Sequence, residues 1–156
     1  GQSVMFSDYR IIRSLLDSRD LTAFVRAVRA VRLDQPLLKP GAVTVFAPTN
    51  SAFGNLPPAL EDRLVVHPGH DAVARVLACH IVADPLYAGR KLSDLMAGRE
   101  SVTMPTLGGC KLTITRQGAG FQLRSPSGTL ARISAADIAQ SNGIINIIDT
   151  VILPEG

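Results

Sequence analysis

The residues of this chain with the widest chemical range are three histidines, His67, His70 and His80, and two cysteines, Cys79 and Cys110. Their types suit a zinc site, or a thiol nucleophile served by an imidazole. Their spacing argues against both. His67-Pro-Gly-His70 straddles a helix-breaking pair, no Cys-x-x-Cys is present, and no two histidines stand four apart, so the spacings that hold a metal are missing. Cys79 and His80 are neighbours, and neighbours on a helix point ~100° apart, which keeps the imidazole from acting on the adjacent thiol. Cys110 with His80 stays geometrically open. So does a single bridge between the two cysteines, although two free buried thiols are the expected state, because one pair is not the framework that small secreted domains use.

The other candidates are weaker. Leu107-Gly108-Gly109-Cys110-Lys111 lacks the spacing and the Ser/Thr of a phosphate loop, and no Gly-x-Ser-x-Gly elbow occurs. Glu61-Asp62 falls on a polar helix face. Asp149 interrupts the apolar run from Ile144 to Ile152, where a carboxylate needs partners, and it reads as a cap on a nearby loop. His80 shares a helical stripe with Val73, Val76, Leu77 and Ile81 and reads as a buried, hydrogen-bonded core residue. No catalytic residue, metal site or cofactor is expected.

These residues have to be positioned by a chain of 156 residues, 46% apolar, 19% charged and 4% aromatic, which is the size and texture of one globular domain over 1–156. No apolar run approaches the ~20 residues of a membrane-spanning helix, so no membrane span is expected. The net charge of +3 lies wholly in residues 1–40. There seven Lys/Arg face four Asp, whereas the remaining 116 residues hold nine of each sign. Nucleic-acid binders show denser cationic patches interleaved with aromatics, so no nucleic-acid partner is expected. Arg26 and Arg29 read as a solvated helix face whose binding to anionic surfaces is weak and disappears near physiological salt.

The periodicity predicts helices over 8–17 and, capped by Asp20, from Leu21 to Val31, with Leu21, Phe24, Val25, Val28 and Val31 on one side. A strand follows over 42–47, then capping residues Thr49 and Asn50, a short helix from Pro57 to Val66, and a helix from Asp71 to about Ile81. Residues 86–98 read as a loop with a short helical piece. Strand-like runs then occupy 101–105, 111–117, 120–125, 129–133 and 144–153, separated by Gly-rich turns. Helices first and strands last argue for an α+β fold.

Two stretches add a resemblance. Residues 44–57, TVFAPTNSAFGNLP, resemble the first signature box of the fasciclin domain family through Thr44, Phe46, Pro48, Asn50 and Phe53. Residues 142–154, NGIINIIDTVILP, resemble its second box through Asn142, Gly143 and Asp149. Between them Leu77 to Val82 is similar to the family's Leu-x-Tyr-His segment, with Cys79 in place of Tyr, and Ile133 to Gly143 is similar to its Asp-Ile…Asn-Gly stretch. Asn146 stands where the second box commonly has His. The resemblance implies a wedge-shaped β-sandwich flanked by helices, in which strands 43–46 and 144–152 pair and Asn50 caps the turn after the first. It implies an extracellular, cell-surface or periplasmic location and a non-catalytic role in adhesion to a cell-surface or matrix protein or a glycan. It carries His80, Asp137 and Ile138 over as partner-binding residues. An integrin-like receptor is not implied, since the Tyr is absent. On this reading Asp137→Ala weakens binding and leaves stability nearly unchanged. Two other classes stay in view: a thiol-dependent hydrolase using Cys79 or Cys110 with a histidine, and a lipid or small-molecule carrier with a pocket between helices and sheet.

Overall fold

The computed structural model describes residues 19–30, 42–56, 70–140 and 143–153. The expected helices over 8–17 and from Pro57 to Val66, the residues Val31, His67 and Asn142, and the break at His67-Pro68-Gly69 lie outside these ranges.

A 3-10 turn (Arg19–Leu21) leads into α1 (Thr22–Ala30), whose Leu21-side stripe of Phe24, Val25 and Val28 is buried while Arg26 and Arg29 face solvent. Next come β1 (Val43–Pro48), α2 (Asn50–Gly54), α3 (His70–Ala78), the two-residue β2 (Ile81–Val82) and α4 (Leu92–Leu95). The chain ends in β3 (Ser101–Pro105), β4 (Lys111–Gln117), β5 (Gly120–Arg124), β6 (Leu130–Gln140) and β7 (Gly143–Ile148). This is the expected α+β order. Three boundaries differ from expectation. The helix before His80 stops at Ala78, because Ile81 and Val82 leave it to pair with β1. β6 runs well past residue 133, and β7 stops at Ile148, so Asp149 lies beyond the strand.

The strands form a single seven-stranded mixed sheet in the order β2-β1-β7-β6-β5-β4-β3. The pairing of β1 with β7 holds as expected; it is parallel, with Val45 opposite Ile145 and Phe46 opposite Asn146, and every residue of β1 is buried. Both of its faces are therefore covered. Val43, Val45 and Ala47 pack with Phe24, Phe53 and Leu77 of the helices. Phe46 points the other way, into a cluster with Val82, Met104, Leu112, Ile114 and Leu123. Those partners come from both ends of the strand order, so the sheet curls until its two ends face each other across a shared core. Two register shifts in β6, between Ile133 and Ala135 and between Ala135 and Ile138, supply the bend. Closure is completed by backbone bonds from the β3–β4 turn to the far end: Leu107 N–H to the Ile81 carbonyl at 2.9 Å and Gly108 N–H to the Ala78 carbonyl at 3.1 Å. One continuous sheet thus makes both layers of the expected wedge-shaped β-sandwich.

Candidate functional site

Where the two ends of the sheet meet, Cys79 and Cys110 are joined in a disulfide, with Cα atoms 5.4 Å apart. The expectation of two free thiols is thereby corrected. Cys79 follows the last turn of α3 and Cys110 precedes β4, and the closure that brings Gly108 onto Ala78 also brings these sulfurs together. Spacing in the sequence carries no trace of that contact. With both cysteines bonded, a thiol nucleophile of the kind a hydrolase needs is not available in this state.

His80, the next residue, is fully buried. Its Nδ1–H donates to the Val76 carbonyl at 2.8 Å, and its Nε2 accepts from Ile152 N–H at 3.0 Å. The ring thus ties the end of α3 to the segment after β7 and leans on Phe24 at a centroid distance of 5.9 Å. Burial lowers its pKa from 6.5 to about 4, against the opposing effect of the backbone bonds at Val76 and Leu77, so the imidazole is neutral at physiological pH. The buried-core reading holds. Carrying His80 over as a surface contact is corrected by the same geometry: no part of it reaches solvent, and neither nitrogen is free to act as a base.

Asp137 and Ile138 lie on the bulged stretch of β6 and are partly exposed. Asp137 has a left-handed backbone, φ 61°, which a non-glycine residue adopts only when its surroundings hold it there. The holding groups can be named. Its N–H donates to Asn146 Oδ1 at 2.8 Å, and its carboxylate accepts from Leu92 N–H at 2.6 Å and Ser93 N–H at 3.3 Å. Residue 91, the cap position of α4, is Lys91 and makes no side-chain cap bond, so Asp137 supplies the cap from 45 residues away. Asn146 is fully buried, and its Nδ2 has no partner among the described residues. The link from Asn146 through Asp137 to α4 had no signal in the sequence beyond the resemblance of residues 133–143.

The described signature residues make contacts within the fold. Thr44 Oγ1 accepts from Gly89 N–H at 2.9 Å, Phe46 and Phe53 are buried, and Pro48 and Gly143 sit at opposite ends of the β1–β7 ladder. The cap after β1 is Thr49, whose Oγ1 accepts from Ala52 N–H. Asn50 was expected in that role; instead its Oδ1 accepts from Ala23 N–H and its Nδ2 donates to the Arg19 carbonyl and Thr22 Oγ1. It therefore caps α1, the task expected of Asp20. Asp149 accepts from Arg132 N–H at 2.8 Å and from the Thr150 hydroxyl, which agrees with its reading as a loop cap.

The profile of the fasciclin domain matches residues 19–154. The chain belongs to the fasciclin domain family. Among its relatives, Protein sll1483 of Synechocystis sp. is 30% identical over 154 residues, 99% of this chain and 78% of that protein. Protein sll1735 of the same organism is 34% identical over 143 residues, 92% of this chain and 96% of that one. The fold resembles a fasciclin domain pair from the insect cell adhesion molecule fasciclin I, with a TM-score of 0.65 at 23% identity over 85% of this chain and 45% of that one. In this fasciclin chain the segment similar to Tyr-His is an internal strut, and the segment similar to Asp-Ile is the cap of a short helix.

Proposed function

We propose that the chain is a non-catalytic interaction module, one fasciclin domain over 1–156 that works in an extracellular or envelope compartment and mediates adhesion to a cell-surface or matrix partner. The observation that carries this reading is the Cys79–Cys110 disulfide. A buried disulfide persists in oxidising compartments, and this one engages both cysteines of the chain. The neutral, doubly bonded His80 points the same way, since it offers no base to a nucleophile. Adhesion enters from the family and from fasciclin I, an insect cell adhesion molecule. The carrier reading is disfavoured because Phe24, Phe53, Leu77 and Val45 fill the space between helices and sheet. Contact through the Asp137–Ile138 stretch would run over the exposed side of α4, at Ser93 and Asp94.

Binding of the purified domain to intact cells, with and without divalent cations, tests the proposal. Saturable binding is expected. Absence of binding together with labelling of the native protein by an activity-based thiol probe would overturn it.

A further inference from the structure

Strands β3 to β6 contain four cations, Lys111, Arg116, Arg124 and Arg132, and one carboxylate, Asp137. The strand alternation sorts them. Val102, Met104, Leu112, Ile114, Leu123 and Ala131 face the core, and Arg116 shares their side of β4, where it donates to the Met96 carbonyl and lies over the Phe121 ring. Lys111, Arg124 and Arg132 are exposed on the opposite face. Asp137 is at the far end of β6, engaged with α4. Asp149, beside β6, is turned onto the Arg132 amide and the Thr150 hydroxyl.

The register places the three exposed cations in a line. Thr113 pairs with Arg124 and Arg124 with Leu130, while Gln122 pairs with Arg132. Lys111 is thus one diagonal step from Arg124, and Arg132 is one further step in the same direction. Each diagonal step spans about 7–8 Å, so the cations form a straight track of about 15 Å across β4, β5 and β6. Hydroxyl and amide groups flank it: the row Ser101, Thr115, Gln122 and the bonded pair Thr103–Thr113. No aromatic residue lies on the outward positions of these strands, which removes the stacking platform of single-stranded nucleic-acid binders. Leu130, Pro105 and Ala136 are the apolar residues there, too few to enter a bilayer.

We infer that this face binds an acidic polysaccharide, its sulfate or carboxylate groups meeting Lys111, Arg124 and Arg132 and its hydroxyls meeting the Thr and Gln rows. The inference rests on the interaction reading above and names the chemistry of the partner. A linear polyanion with charges at regular intervals matches a linear cation track by charge complementarity, and three exposed contacts make the affinity modest and salt-dependent.

The test is calorimetric titration of the full chain with heparin oligosaccharide at low salt. Uncharged dextran, single-stranded DNA and phosphatidylserine vesicles serve as comparisons. The triple variant Lys111→Gln, Arg124→Gln, Arg132→Gln is expected to bind heparin at least about tenfold more weakly with an unchanged melting curve. Arg26→Gln, Arg29→Gln, which lowers the charge elsewhere, is expected to bind within about twofold of wild type. Equal losses in both variants, no heparin binding by wild type, or tighter binding to the DNA or the vesicles overturns the inference. Cell binding that survives the triple variant overturns it while leaving the adhesion reading intact. Heparin binding without cell binding overturns the adhesion reading alone.

Discussion

A polar side chain at a buried junction has consequences that its exposed counterpart lacks. Removing His80 leaves the Ile152 N–H unpaired in the core and takes one of the two bonds of the Val76 carbonyl, which keeps the one from Cys79 N–H, so His80→Ala should cost about 1–3 kcal/mol, read as a lower melting temperature. Any loss of adhesion should track the loss of folded protein. The same residue sets an acid limit. Its pKa is about 4 folded and 6.5 as the ordinary value, so above pH 6.5 neither state holds the proton and the contribution of His80 is fully present. As pH falls from 6.5 through 4 the unfolded chain binds the proton first, and up to about 3 kcal/mol is lost. Denaturant melts from pH 7 to pH 4 should show that decline in wild type and not in a folded His80→Gln variant; a flat profile in wild type would refute the assignment. Asp137→Ala is now expected to destabilise, by about 1–2 kcal/mol, because it removes the cap of α4 and keeps the left-handed backbone. Chemical denaturation with an unchanged midpoint would restore the purely surface reading.

The turn between β3 and β4 is held against the end of α3 by three means at once: the disulfide, two backbone bonds and close approach at Gly108. A Cβ added at Gly108 would stand 3.0 Å from the Cys79 nitrogen and 3.1 Å from the Ala78 carbonyl carbon and Cβ. Most of these are backbone atoms that cannot turn aside, so Gly108→Ala should lower stability by about 1–3 kcal/mol. The crosslink spans 31 residues, for which chain entropy gives about 3–4 kcal/mol. Cys79→Ala, Cys110→Ala should melt correspondingly lower. Alkylation of the unfolded, unreduced protein should find no free thiol, and two labelled cysteines would remove the staple from this account.

Stability should be graded across the whole fold. β1 and β7 sit side by side inside the sheet, with helices on one face and the curled strands on the other. Among the described residues β3 pairs on one side only. Amide exchange should therefore be slowest in β1 and β7 and fastest along β3. Equal protection in β3 would mean that something covers its free edge. The curl also places the His80 and Cys79 junctions at its closure, away from the exposed cations Lys111, Arg124 and Arg132.

Much of this was legible in the order of residues, because the periods of strand and helix are local. Val102 and Met104 alternate with Ser101 and Thr103, Phe24, Val25 and Val28 gather on one side of a helix, and the two signature boxes stand in order. Element types, the α+β class, the burial of His80 and the family follow from these. What was not legible depends on where distant segments arrive. Cys79 reaching Cys110, Asn50 capping a helix 27 residues earlier and Asp137 capping α4 are all contacts between segments far apart in the chain. Balanced composition hid the cation track for the same reason: Lys111, Arg124 and Arg132 are scattered along the chain, and strand register alone sets them in line. Local pattern decides which face of its own element a side chain takes, and the path of the chain decides what it meets there.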